Sequence, residues 1–182
     1  WMVQLALEEK RQSYRLEKLD FGAREHRRAD LLKLNPRGTI PVLVHDDLVL
    51  VESLAMLQYV NGLAAEPALM PTQRSGARAL DRLHASSRLK SVGMELFGYL
   101  MRTEPEERDP IRVDALIGQL QTELDFWNGI YAEQAWAAGP QLSLVDLSVM
   151  TYVAAARQLG LKLEGRFERV RQAFDAWRQR PS

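Results

Sequence analysis

Two neighbouring pairs in the first third of the chain have the types and spacing to do chemistry. Glu52-Ser53 sets a carboxylate beside a hydroxyl where an apolar run, residues 48–51, gives way to a helical pattern. The first N–H groups of a helix have no intrahelical partner, so this junction suits an anion, with Glu52 beside it for a cation. Ile40-Pro41 heads a second apolar run, residues 42–44, where the missing proline N–H leaves one ladder position unused. The loop just before Ile40, residues 35–39, adds the guanidinium of Arg37 and the hydroxyl of Thr39. Each group also has a plain reading: Ser53 as a helix cap, Glu52 as a solvated strand end, Pro41 as the start of an edge strand, Arg37 and Thr39 as solvated loop.

These groups need elements to position them. Asn35-Pro36 must stop the short helix over 29–34, because the residue before proline is pushed out of the helical region. Asp46-Asp47 predicts a tight turn between the apolar runs, hence a hairpin, and Leu54, Leu57, Val60 and Leu63 predict a helix after it. Ahead of them, residues 1–10 read as an amphipathic helix and residues 14–19 alternate as a short strand. A helix, strand, helix, hairpin and helix in this order form the tail of a thioredoxin-like unit whose first strand would precede the first helix, since crossover helices join parallel strands. The chain opens with Trp1 rather than Met and is already helical, so a strand is expected ahead of it.

The remainder reads as helix. Residues 64–72 carry Pro67 and Pro71 and suit a linker. A long helix is expected over 73–102, with Leu80, Leu83, Leu89, Leu96 and Leu100. Another follows the cap-and-first-turn pair Asp109-Pro110, striped by Val113, Leu116, Ile117, Leu120, Leu124, Trp127 and Tyr131 and running to about Trp136. Ser143 and Asp146 have capping-box spacing, with Leu142 and Leu147 as the staple, and that helix should end at Gly160. A last amphipathic helix carries Phe167, Val170, Phe174 and Trp177 up to Pro181. The fold class is α+β: a thioredoxin-like N-terminal domain (residues 1–63) lacking its first strand, a linker (64–72) and an all-α helical-bundle domain (73–182).

Composition narrows the function. Lys+Arg and Asp+Glu are both 24, and a net charge of zero argues against a nucleic-acid partner or an anionic membrane. There is no Cys, which removes disulfides and thiolate chemistry from these residues. His26, His45 and His84 lack ligand spacing, so no metal site is expected. No apolar run reaches membrane-span length and no signal peptide is visible, so a cytoplasmic protein is expected.

The motif NPRGTIPVL, the Asp-rich turn and V-E-S before a helix resemble the glutathione-binding half of the cytosolic glutathione transferases. LALEEK in the first helix and the S-x-x-D box resemble the same family, and the order of the two halves matches it. The resemblance implies a cis Ile40-Pro41 bond whose Ile40 N–H and C=O pair with the cysteinyl unit of glutathione. It implies that Glu52 holds the γ-glutamyl ammonium, that Ser53, as N-cap, holds the γ-glutamyl carboxylate, and that Arg37 and Thr39 meet the glycyl carboxylate. Glutathione would be the co-substrate, a small hydrophobic electrophile the partner substrate, and a homodimer the assembly. The thiol-activating Ser, Tyr or Cys of the family would lie before Trp1; Tyr14 lies on the wrong side of the first helix to replace it. Met94, Phe97, Tyr99 and Met101 could line an electrophile pocket, although such a stripe is more commonly core. Arg88 and Lys90 could meet substrate or a second subunit, or simply face solvent. The alternative function is a non-catalytic, transferase-like binding or regulatory module.

Overall fold

The computed structural model describes residues 1–158 and 160–180. The chain divides into two compact units, Trp1–Pro67 and Ala68–Ser182.

In the first unit, α1 (Met2–Glu9) and α3 (Ser53–Gly62) pack together. α1 buries Met2, Val3 and Ala6, and α3 buries Met56, Leu57 and Val60. Burial of a side chain of this size is worth about 1.5–3 kcal/mol, so these two faces are the unit's main apolar source of stability. Leu54 and Leu63, expected on the buried face, are only half-buried, and Met56 takes the place beside Leu57. Lys10 closes α1 and is buried; its ammonium donates to the carbonyls of Ala64 and of Pro67 (2.8 Å), tying α1 to the segment after α3.

Between these helices lie α2 (Ala29–Leu34) and an antiparallel hairpin, β1 (Leu43–His45) and β2 (Leu48–Leu50). The register pairs Leu43 with Leu50, Val44 with Val49 and His45 with Leu48. Asp46 takes φ 52° in the turn, a left-handed conformation that Asp tolerates because its short side chain can bond locally. The strand expected over 14–19 is not formed: residues 13–20 have no ladder partner among the described residues. Alternation alone does not make a strand, because its N–H and C=O groups need a neighbour.

The second unit is helical: α4 (Gln73–Arg102), α5 (Pro110–Glu133), α6 (Leu144–Gln158) and α7 (Glu168–Arg178). α4 packs on α5 and α6, and α5 packs on α7. Asp109 caps α5 by accepting from the Ile111 N–H at 2.9 Å. α5 ends at Glu133, earlier than the stripe suggested, because Gln134 turns extended at φ −157°. Every residue of α6 from Leu144 to Thr151 is buried, as expected of a helix that is mostly apolar all round. Gly160 follows α6 with φ +92°. Pro181, expected to stop α7, lies outside the described residues.

Asp146 anchors the start of α6. It is fully buried and accepts from the Ser143 N–H (2.9 Å), the Ser143 hydroxyl (2.6 Å), the Ala137 N–H (2.7 Å) and the Tyr131 hydroxyl (3.0 Å). The reach back to Ser143 N–H is the capping-box half expected from the spacing. The Ser143 hydroxyl differs from expectation: it donates to Asp146 and does not cap a helix N–H. Burial raises the Asp146 pKa, with the four donors working against it. Tyr131 is pushed well above 10, chiefly by burial and then by the adjacent carboxylate.

Candidate functional site

The loop before β1 is built around Asn35, which is buried. Its amide donates to the Thr39 carbonyl (2.8 Å) and to the Thr39 hydroxyl (2.9 Å), and its Oδ1 accepts from the Arg37 N–H (3.2 Å). Gly38 takes φ +61°, a backbone conformation that a side chain would strain, and a Cβ there would stand 2.8 Å from the Arg27 guanidinium and displace that flexible side chain. Sequence reading saw this loop as punctuation and missed Asn35 as its organiser; an Asn before Pro in a turn is the signal that could have found it.

The loop delivers Ile40 and Pro41 to the head of the hairpin. The Ile40–Pro41 peptide is cis, as the resemblance implied. Ile40 is exposed, and neither its N–H nor its C=O has a hydrogen-bond partner among the described residues. An extended ligand backbone could pair with them as an added strand.

β2 leads into α3. The Met56 N–H bonds the Glu52 carbonyl at 3.0 Å, which makes Glu52 the N-cap and Ser53 the first helical residue. This corrects the expectation that Ser53 is the cap. No side chain caps α3. Its first N–H groups are thus open to an anion, with the Ser53 hydroxyl beside them. Across the loop, Arg37 Nη1 stands 2.7 Å from Glu52 Oε1. The fold therefore brings Arg37 and Glu52 into contact, whereas Thr39 is engaged with Asn35.

The other candidates fall elsewhere. Tyr14 donates its hydroxyl to Glu8 at 2.7 Å, and that bond, with some desolvation, raises its pKa above 10. A phenol held this way is not placed to stabilise a thiolate. His45 shares a 2.5 Å hydrogen bond between Nδ1 and the Tyr59 hydroxyl. Among the described residues no group of His, Asp or Glu is placed to hold a metal ion, and no helix is long and apolar enough to cross a membrane. Met94, Phe97 and Met101 are exposed, which overturns the core reading for these three, whereas Tyr99 is half-buried. Arg88 pairs with Glu123 at 3.2 Å.

Comparison with known proteins bears on this geometry. Residues 1–62 match the model of the glutathione S-transferase N-terminal domain. Over those residues the chain is similar to that N-terminal domain family. Glutathione S-transferase A of Pleuronectes platessa is 29% identical over 188 residues, spanning all of this chain and 83% of that protein. A stringent starvation protein A homolog of Pasteurella multocida is 26% identical, over 96% of this chain and 77% of its own length. Among solved structures, a glutathione S-transferase from the Antarctic clam Laternula elliptica has a TM-score of 0.88 at 24% identity, over all of this chain and 83% of its own. The glutathione transferase URE2P6 of Phanerochaete chrysosporium, solved with oxidized glutathione, has a TM-score of 0.89 at 22% identity, over all of this chain and 86% of its own. The fold is that of the transferase family: a thioredoxin-like half followed by a helical one.

Proposed function

We propose that this protein binds glutathione along the hairpin and delivers its thiolate to a small hydrophobic electrophile. The observation that carries the reading is the junction at Glu52-Ser53. An uncapped helix start sits directly after a carboxylate, and at the head of the hairpin the backbone of Ile40 is exposed and unpaired. That arrangement complements the zwitterionic γ-glutamyl end of glutathione followed by its peptide backbone. In this reading Ser53 and the α3 N–H groups take the γ-glutamyl carboxylate, Glu52 takes the ammonium, and Ile40 takes the cysteinyl backbone, with Pro41 setting its direction. Arg37 and Thr39 stand on the loop for the glycyl carboxylate.

The chemistry is nucleophilic substitution or addition. The thiol loses its proton, sulfur forms a bond to the electrophilic carbon, and a leaving group departs with the displaced electron pair. A free thiol titrates near about 8.5, and lowering it by about two units needs roughly 2.7 kcal/mol of preferential thiolate stabilisation. We assign that stabilisation to a hydroxyl or thiol donor N-terminal to α1, and we expect a cytoplasmic homodimer.

The similarity to stringent starvation protein A homologs supports a second reading, a transferase-like binding module without turnover. Retention of the full-length protein on immobilised glutathione, followed by conjugation to a general aromatic electrophile, separates the two. Retention with turnover supports the enzyme. Retention without turnover supports the module, and failure of both removes the glutathione reading.

A further inference from the structure

We propose that the helical unit carries a second site, a cleft that binds an organic phosphate monoester through Arg74 and Arg78. Arg74, Arg78 and Arg82 recur every four residues along α4 and so share one face. They line a cleft of 640 Å³ together with Ser75, Gln134 and Pro140, a volume inside the range of roughly 300–1,000 Å³ typical of small-molecule sites. Arg82 is committed to the fold: its Nη1 donates to the Ala137 carbonyl at 2.7 Å. Arg74 and Arg78 have no hydrogen bond or ion pair among the described residues, and no acidic residue lines the cleft.

This distinguishes them from five other arginines. Arg28, Arg37, Arg88, Arg166 and Arg171 each meet a carboxylate. Like charges four apart on a helix repel, and here nothing in the cleft offsets them. An anion does. Two guanidinium forks one turn apart match the several oxygens of a phosphate dianion better than the two of a single carboxylate. Ser75 adds a hydroxyl, Gln134 spends its amide donor on the Ala137 carbonyl at 3.1 Å, and Pro71, Ala138 and Pro140 give an apolar wall for the organic part. None of these residues belongs to the glutathione reading, which uses residues 37–53.

The test is calorimetric titration of the full-length protein with phenyl phosphate, with phenol as the neutral control, at about 0.1 M salt, where exposed charges remain effective at contact range. Saturable binding of phenyl phosphate, none of phenol, and at least about tenfold weaker binding by the Arg74→Ser/Arg78→Ser double variant is the expected result. Both arginines are exposed, so the variant should melt at the parent temperature, and Arg78→Gln alone should show an intermediate loss. Glu52→Ala should bind phenyl phosphate like the parent, which keeps this outcome separate from the glutathione site. No saturation, or equal binding by the double variant, overturns the proposal. So does a double variant that only loses self-association while the parent ignores phenyl phosphate, since the arginines would then serve a subunit contact.

Discussion

Arg37 Nη1 lies 2.7 Å from Glu52 Oε1, joining the loop before β1 to the N-cap of α3. The carboxylate that the glutathione reading gives to an ammonium is thus already matched to a cation. Both side chains are well exposed, at 71% and 67%, so the pair is weakly held and exchangeable. Exposed pairs of this kind contribute about 0.2–1 kcal/mol. Arg37→Ala should therefore change the unfolding free energy by less than about 1 kcal/mol and glutathione affinity only a few-fold. Chemical denaturation and calorimetry measure the two. A loss of stability several times larger would mean that the pair holds the loop in place.

Asp146 should be the costliest substitution among those considered. Asp146→Ala leaves four buried donors, from Tyr131, Ala137 and Ser143, without their acceptor. Each unsatisfied buried group costs about 1–3 kcal/mol, partly relieved by relaxation and water, so a loss of about 3–5 kcal/mol is expected. Urea unfolding should show the midpoint falling sharply. A loss under about 1 kcal/mol would mean that the network rearranges freely.

The same network sets a pH dependence. Burial raises the Asp146 pKa above 3.8, so as pH falls the folded chain takes up this proton before the unfolded chain does. Between 3.8 and the folded value, stability from this group falls as pH rises; above it the contribution is flat. At the alkaline end, burial pushes Tyr152 from 10.0 up to about 12. Its contribution is whole below 10.0 and is lost as pH rises to about 12, because only the unfolded chain has released the proton. Tyr152→Phe should flatten the alkaline fall in denaturant midpoint across that window. An unchanged slope would contradict the assignment.

Lys10 tests the first unit. Lys10→Met keeps much of the buried stem and removes the donor to Ala64 and Pro67. Leaving two acceptors unpaired should cost about 2–3 kcal/mol and expose the segment after α3 first, read as faster amide exchange there. Uniform exchange with an unchanged midpoint would show that water replaces the ammonium.

Where local chemistry decides structure, the sequence was legible. Asn35-Pro36 ended α2, Asp46-Asp47 turned the hairpin, Asp109-Pro110 opened α5, and Ser143 with Asp146 opened α6. What failed depended on partners distant in sequence. Residues 14–19 alternate like a strand, yet pairing is not a local property. Lys10 reads as a polar helix end because nothing nearby announces the carbonyls of Ala64 and Pro67. Ser53 looked like the N-cap because serine favours that place, but the chain enters α3 one residue earlier, at Glu52. In the candidate site the residue types were readable, whereas the contact between Arg37 and Glu52 was not, because fifteen residues separate them.

The most direct measurement is the affinity of full-length protein for glutathione, with and without Glu52→Ala, alongside the thermal melt of each. Glu52 is exposed, and its one ion pair is weak, so the variant should melt within about a degree or two of the parent. The account predicts saturable binding by the parent and at least about tenfold weaker binding by the variant, since the γ-glutamyl ammonium loses its carboxylate. Equal affinity, or no binding by the folded parent, would contradict it.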